Sequence, residues 1–165
     1  MPDVYLGLGS NVEAARNLRL CVRELGRRFE LVRVSEVYRN AAVGFAGADF
    51  LNAVACVRTP LTPAQINAEL AAIHDLAGRR RGDDAFVSRT LDIDLLLYGD
   101  EILEAARVPR EDILEYSFVL GPIAEIAPDL RHPATGRTMA EHWRAFDRRA
   151  HPLRAVPGIL SSDGP

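Results

Sequence analysis

The sequence predicts an α+β fold of the ferredoxin-like βαββαβ type, an antiparallel sheet with helices on one face and extra helices at the C-terminal end. Hydrophobic patterns with strand and helix periods follow one another in the order strand, helix, strand, strand, helix, strand. No repeat or linker divides the 165 residues. A single domain over residues 1–160 is therefore expected. The chain after Pro157 is expected to be loose, and residues 161–165 are set apart from the domain as a tail.

The first half of the chain carries the first three predicted strands. Residues 4–8 form the first strand, and Ser10 or Asn11 is expected to cap the helix that follows. Apolar residues then recur at helical spacing, namely Leu18, Cys21, Val22, Leu25 and Phe29. A valine-rich segment over 31–37 predicts the second strand and residues 50–57 the third. The small residues over 40–49 between them indicate a loop.

The second half begins with a well-marked helix start. Thr62, Pro63 and Gln65 form the pattern of a capping box, and Gly78 is expected to end this helix. Residues 79–88 are polar and predict a second loop, and residues 90–98 predict the fourth strand.

Two helices are expected beyond the fourth strand. The pattern over 118–126 predicts a short helix broken by Pro122, and Thr138 with Glu141 indicates a capping box that opens another helix.

Composition and charge exclude several classes of function. The net charge is −3 and the pI about 5.8, so neither nucleic acid nor an anionic membrane is an expected partner. The two cysteines, Cys21 and Cys56, are far apart and are expected to be buried free thiols. The N-terminus shows no signal peptide and no apolar run could cross a bilayer. A cytoplasmic protein is therefore expected.

Two aspartates on the fourth predicted strand are the strongest chemical signal. Asp92 and Asp94 are two residues apart, so their side chains point to the same side of the strand, roughly 6–7 Å apart. Two neighbouring carboxylates need a cation between them. Oxygen ligands suit Mg²⁺, whereas a salt bridge to Arg89 on an exposed edge strand is the plainer alternative. The apolar run around the pair favours the metal.

An arginine-rich segment precedes these aspartates. It contains Arg79, Arg80, Arg81 and Arg89. Guanidinium groups match phosphate oxygens in bidentate fashion, so the segment is typical of a polyphosphate clamp beside a metal. A solvated charge run neutralised by Asp83 and Asp84 is the alternative.

Aromatic and amide side chains suggest a place for a flat heterocycle. Phe50 and Phe118 could enclose such a ring and Asn52 could hydrogen-bond its edge, although aromatic residues at such positions more often belong to a core. Walker and Rossmann glycine motifs are absent, and no histidines pair at zinc-ligand spacing.

Taken together, these segments resemble the 6-hydroxymethyl-7,8-dihydropterin pyrophosphokinase family. The resemblance runs to about residue 130 and rests most strongly on Arg-Thr-Leu-Asp-Ile-Asp at 89–94. It also includes Gly-Leu-Gly-Ser-Asn at 7–11, Phe-Leu-Asn at 50–52, Gly-Arg-Arg-Arg at 78–81, Val-Pro at 108–109, Phe-Val-Leu at 118–120 and Glu-Ile-Ala-Pro at 125–128. The family has the same ferredoxin-like fold. Its members transfer diphosphate from ATP to the hydroxymethyl group of the pterin and release AMP.

The resemblance also implies roles for individual residues. Asp92 and Asp94 would hold two Mg²⁺ ions, and the catalytic arginines on the phosphates would be Arg79, Arg81 and Arg89. The residues that bind the pterin would be Asn40, Ala41, Val43, Phe50, Asn52 and Phe118. Those that bind ATP would be His74, Arg79, Arg81, Phe86, Arg89, Leu95 and Arg110.

Several positions depart from the family pattern. His74, Phe86, Arg110 and Tyr116 stand where better-known members have glutamate, tryptophan, histidine and arginine. Phe50 replaces a tyrosine. These changes lie mostly on the ATP side, so they bear on ATP affinity and rate more than on the reaction class.

The expected partners are small molecules. ATP and the dihydropterin would be the substrates, Mg²⁺ the cofactor, and the protein a monomer. A divergent, weakly active paralogue that binds pterin and nucleotide is one alternative. A ferredoxin-like module that binds RNA or a metal is another, which the lack of interleaved aromatic and basic residues disfavours.

Overall fold

The computed structural model describes residues 1–41, 49–78 and 91–160. Its strands are β1 (Asp3–Ser10), β2 (Glu30–Val34), β3 (Tyr38–Asn40), β4 (Phe50–Arg58), β5 (Asp92–Tyr98) and β6 (Arg154–Ala155). Its helices are α1 (Ala14–Arg28), α2 (Pro63–Leu76), α3 (Asp112–Glu115), α4 (Ser117–Ile126) and α5 (Met139–Ala145), with a 3₁₀ turn over Glu104–Ala106. The described elements up to residue 98 follow the order β, α, β, β, α, β that was predicted, once β2 and β3 are taken as one interrupted strand.

An antiparallel sheet forms the centre of the molecule. Its strands lie in the order β5-β1-β4-β3-β6, and β2 pairs with β4 beside β3. β4 thus pairs with β1 along one edge and with both β2 and β3 along the other.

Helices cover both faces of this sheet, whereas the sequence predicted them on one face. Alternate residues of β1, including Val4, Leu6 and Leu8, pack in one apolar cluster with α1 and α2. Tyr5 of the same strand joins a second cluster with α4 and α5. The C-terminal part of the chain therefore supplies a third layer. The local sequence patterns predicted its helices, but not that these helices cover the second face of the sheet.

A bulge in β5 lets the strand serve both clusters. Leu6 pairs with Leu95 and Tyr5 with Leu97, so Leu96 is an extra residue. Leu96 and Leu97 both belong to the second cluster, whereas Leu95 belongs to the first.

The start of α1 and the second strand differ from the predictions. The N-cap residue of α1 is Glu13, with positive φ and no side-chain cap, rather than Ser10 or Asn11. The predicted strand over 31–37 is divided at Ser35. The backbone N–H of Ser35 donates to the Val54 carbonyl, and its hydroxyl oxygen accepts from the Val54 N–H. The hydroxyl replaces a ladder contact, so the chain leaves β2 before β3 begins.

The end of the chain also differs. The helix α4 continues through Pro122 rather than breaking there. Beyond Pro157, Ile159 and Leu160 pack against the first cluster, and Arg19 donates to the Ile159 carbonyl at 2.8 Å. The segment is held as far as residue 160, and residues 161–165 lie outside the described part.

Local signals were otherwise confirmed. Thr62 and Gln65 form the reciprocal capping box of α2, and Thr138 and Glu141 form that of α5. Gly78 follows α2 with φ of 87°. The thiols of Cys21 and Cys56 are buried and free. Within the described ranges, none of the helices combines the length and apolar content that a membrane span requires.

Candidate functional site

The two predicted metal ligands lie on the same side of β5. Asp92 is opposite Gly9 and Asp94 opposite Gly7 on β1. Their neighbour Ile93 is buried in the first cluster, so the aspartates face the opposite side, toward the α4 layer. Both are partly exposed. The register confirms the same-side placement that strand alternation predicted.

An amide pair continues this surface across β4 and β3. Asn52 also pairs with Gly9 and is only 6% exposed. Its Nδ2 donates to the Oδ1 of Asn40, which ends β3. Tyr38, Asn52, Gly9 and Asp92 therefore form one row of paired positions across four strands.

Gly9 makes room for the amide. A Cβ atom at this position would lie 2.7 Å from Asn52 Oδ1, closer than such atoms approach one another. A glycine within a strand commonly marks a close approach of this kind. In the sequence, Gly9 is part of the Gly-Leu-Gly-Ser-Asn segment that resembles the family, and its place beside Asn52 requires knowledge of the register.

The two predicted ring-binding phenylalanines occupy different layers. Phe50 begins β4, two residues before Asn52 and on the same side of the strand. Phe118 lies at the N-terminal end of α4, which packs on β3 and β4. The ring of Phe118 stacks with that of Tyr116, with centroids 4.9 Å apart and 22° between planes. Tyr116 thus extends the aromatic surface where the family pattern has an arginine.

Arg110 brings a positive charge to this end of β5. Its Nη2 lies 3.7 Å from Asp94 Oδ1 and its Nε 3.6 Å from Asp112 Oδ1. The backbone N–H of Arg110 donates to Leu96 in the bulge at 2.9 Å. The Nε atom is buried without a hydrogen-bond partner among the described residues. Arg110 thus stands between two carboxylates at distances longer than hydrogen bonds, and Asp112 is a neighbour that the sequence patterns did not single out.

Two further predicted ATP contacts lie toward the other side of β5. His74, near the end of α2, accepts a hydrogen bond on Nε2 from the Ile93 N–H at 3.2 Å. Because Nε2 accepts this hydrogen bond, that ring nitrogen carries no proton. Leu95 is 3% exposed in the first cluster. Its side chain therefore faces away from the aspartates.

A second polar group connects α4 to β3. The hydroxyl of Tyr38 donates to Glu125 Oε1 at 2.6 Å. Burial and this carboxylate both raise the pKa of Tyr38 well above its usual range. In the sequence, Glu125 belongs to the Glu-Ile-Ala-Pro segment at 125–128 that resembles the family, but nothing in that pattern indicates a contact with Tyr38.

The remaining predicted residues lie at the edge of the described ranges or outside them. Ala41 follows β3 and is exposed. The predicted residues that lie outside the described ranges are Val43, Arg79, Arg81, Phe86 and Arg89. The described residues hold no group of three or more His, Cys, Asp or Glu side chains suited to a metal, so two carboxylates form the donor set on this surface.

Comparison with protein families gives one match that covers most of the chain. A model of the 7,8-dihydro-6-hydroxymethylpterin-pyrophosphokinase (HPPK) family matches residues 5–128. The match includes the five strands and four helices that surround the surface described above, with β6 and α5 beyond its end.

Curated relatives carry a consistent name. Proteins named 2-amino-4-hydroxy-6-hydroxymethyldihydropteridine pyrophosphokinase from Synechocystis and Pseudomonas aeruginosa are each 38% identical to this chain. The first match covers 82% of this chain and 72% of the Synechocystis protein. The second covers 84% of this chain and 88% of the Pseudomonas protein. A protein of the same name from Aquifex aeolicus is 32% identical, and the match covers 86% of this chain and 90% of that protein.

Solved structures show the same fold. The crystal structure of Plasmodium falciparum HPPK-DHPS wild type with pteroate has a TM-score of 0.71 to this chain at 10% identity. The likeness covers 89% of this chain and 44% of that chain, so this chain spans less than half of the longer protein. At this identity the likeness bears on the fold alone.

Proposed function

This chain belongs to the 7,8-dihydro-6-hydroxymethylpterin-pyrophosphokinase family, and from that premise we infer that it is a pyrophosphokinase of folate biosynthesis. In detail, we propose that it transfers diphosphate from ATP to the hydroxymethyl group of 6-hydroxymethyl-7,8-dihydropterin. The observation that carries this detail is the register of Asn52, Asp92 and Asp94 around glycines on one side of the sheet. The side of the sheet that faces α4 carries this amide and these two carboxylates, whereas Ile93 and Leu95 on the opposite side of β5 pack in the first apolar cluster.

Bond changes in the proposed reaction balance without a covalent enzyme intermediate. The hydroxymethyl oxygen bonds to the β-phosphorus of ATP, and the bond from that phosphorus to the oxygen bridging the α-phosphate breaks. AMP leaves with the electron pair, and the hydroxyl proton passes to water. Such a transfer depends on positioning and charge neutralisation more than on a nucleophilic side chain.

The residues present fit Mg²⁺. Asp92 and Asp94 offer only oxygen atoms, the ligands that Mg²⁺ prefers, and both side chains are partly exposed and so open to a metal. The metal, when bound, would offset the negative charge on the phosphate oxygens. Two ions are proposed, following the family resemblance.

Other side chains would bind and orient the substrates. Arg110 already neighbours Asp94 and would turn its guanidinium toward a phosphate. The same role is proposed for Arg79, Arg81 and Arg89, which lie outside the described residues. Asn52 and Asn40 would hydrogen-bond the edge of the pterin, and Phe50 and Phe118 would contact its faces.

Further features stay predictions of the sequence. The ferredoxin-like arrangement is supported by the strand order β5-β1-β4 followed by β2 and β3. A monomer and a role of His74 and Leu95 in ATP binding are proposed on the resemblance alone. A cytoplasmic location stays the prediction made from the apolar pattern of the sequence.

Production of AMP tests the function directly. Purified protein with 6-hydroxymethyl-7,8-dihydropterin, ATP and Mg²⁺ is expected to release one AMP for each pterin diphosphate formed. Omission of the pterin should abolish AMP release. Pterin binding without AMP would favour the weakly active paralogue, and loss of both would refute the proposal.

A further inference from the structure

A carboxylate on α4 joins the two elements that carry the proposed pterin contacts. Glu125 Oε1 accepts from the Tyr38 hydroxyl at 2.6 Å. Glu125 Oε2 accepts from the backbone N–H of Glu36 at 3.0 Å. The Glu125 carboxylate therefore binds a side chain of β3, that of Tyr38, and a backbone N–H of the segment before β3, that of Glu36.

The backbone bond falls where the sheet offers none. Glu36 lies in the break between β2 and β3, so its N–H is outside the ladder with β4. Glu36 is exposed, and the Glu125 carboxylate supplies a protein partner for a backbone N–H that the sheet leaves unpaired. Arg33 adds a second connection nearby, because its Nη1 donates to the Ile126 carbonyl at 2.6 Å. The C-terminal end of α4 is thus tied to both strands at the break.

Helix and strand geometry relate this connection to the site. Phe118 and Glu125 are seven residues apart on α4, so they share one face of the helix, about 10 Å apart along its axis. Tyr38 and Asn40 are two residues apart on β3 and share one side of the strand. The Glu125–Tyr38 contact and the proposed ring and amide contacts therefore lie along the same two elements.

We propose that Glu125 is a positioning residue for the pterin, which fixes α4 relative to β3 and thereby the spacing between Phe118 and Asn40. This inference rests on the proposed function. Glu125 would not touch substrate, and a change there would act on the pterin through Phe118 and Asn40. The ATP side of the surface, around Asp94 and Arg110, is on β5 and the segment after it, and would be affected far less.

The charged acceptor is important to this role. Hydrogen bonds to a carboxylate are stronger than those to a neutral oxygen. Glu125 and Tyr38 also line an open cleft of about 390 Å³ together with Trp143 and Leu153. Removal of the Glu125 side chain would leave the Tyr38 hydroxyl and the Glu36 N–H to water, which does not connect α4 to β3.

Steady-state kinetics and calorimetry on the full chain test the inference. In Glu125→Ala we expect the KM and Kd for the dihydropterin to rise roughly tenfold, with the KM for ATP changed less than about twofold. Tyr38→Phe removes one of the two bonds and should give a smaller rise. Glu125→Gln keeps acceptor oxygen and should recover part of the affinity. Glu104→Ala removes an exposed acid from the 3₁₀ turn and serves as the matched control.

The outcomes separate this inference from the proposed function. If the wild type neither binds dihydropterin nor makes AMP, the proposed function fails and the inference fails with it. If the wild type binds and Glu125→Ala keeps its pterin affinity, or loses affinity for both substrates equally, the inference alone is overturned. A lower melting temperature in Glu125→Ala with unchanged pterin Kd likewise overturns it, because it would show a purely structural bond.

Discussion

The two sides of β5 differ in nearly every physical respect, although one short strand supplies both. Ile93 and Leu95 are buried against α1 and α2. Asp92 and Asp94, each one residue away, are partly exposed beside glycines and Arg110. The first side excludes water and gains its stability from apolar burial.

The side of β5 that carries Asp92 and Asp94 gains less stability from apolar burial. Gly7 and Gly9 place no side chains in the sheet there, and glycine weakens a strand interior. Carboxylates close together repel each other unless a cation is near. The comparison shows that folding and function are assigned to alternate residues, so substitutions at adjacent positions should have separate consequences.

The largest effect is expected on the buried side. Ile93→Ala should lower the free energy of unfolding by about 2–5 kcal/mol, because a buried side chain is replaced by a cavity. Urea unfolding followed by circular dichroism measures this. Leu76→Ala, an exposed position of α2, should change it by less than about 0.5 kcal/mol. Equal losses in the two variants would contradict the assignment of Ile93 to the core.

A comparable effect of another kind is expected one position away. Under the proposed metal role, Asp94→Asn should lower the rate of AMP formation by about 10²- to 10³-fold, because it removes the charge assigned to the metal and facing Arg110. Its urea midpoint should stay close to that of the wild type. Asp100→Asn, at the exposed turn after the same strand, is the control. An active Asp94→Asn enzyme would refute the metal role.

A smaller loss is expected at the aromatic surface. Phe118→Ala should weaken dihydropterin binding by about 1–3 kcal/mol, the range for a ring stacked on a flat base, and ATP binding much less. Calorimetric titration with each ligand measures the two affinities. Phe146→Ala, another partly buried ring of the second cluster, controls for lost packing. Equal weakening of both ligands would contradict a specific pterin contact.

The smallest effect concerns pH and lies far from β5. Burial lowers the pKa of His132, and the neighbouring His142 lowers it further; burial also lowers the pKa of His142. Because these pKa values lie below those of the unfolded chain, the unfolded chain binds more protons as pH falls through about 6.5. The free energy of unfolding should therefore decrease between about pH 7.5 and about pH 5.5.

One substitution isolates the contribution of His132. Its Nδ1 accepts from the Ala134 N–H at 3.1 Å, and His132→Asn keeps an acceptor near that atom without a titratable group. Urea unfolding at several pH values should show a weaker dependence for the variant. An unchanged slope would mean that other groups cause it.

Features set by neighbouring residues were predictable. The capping boxes at Thr62 and Thr138 depend on residues three apart, and both were confirmed. Strand alternation placed Asp92 and Asp94 on one side without knowledge of the partner strand. These predictions succeeded because the interactions that decide them are local.

Features set by distant partners were not. The break at Ser35 depends on Val54, and the close packing over Gly121 depends on Leu153 and Trp143. The strand β6 consists of two residues whose pairing with β3 no periodicity could reveal. The contact between Glu125 and Tyr38 likewise joins residues 87 apart in the chain. Such contacts follow from the tertiary fold.

Leu96, the additional residue in β5, has a consequence for protein engineering. Every pairing of β1 with β5 bypasses Leu96, while its carbonyl holds the backbone of Arg110. Leu96 is also a fully buried side chain of the second cluster. A deletion there would therefore remove core packing and the acceptor for Arg110 together, so the position of the guanidinium cannot be engineered separately from the packing beneath α4.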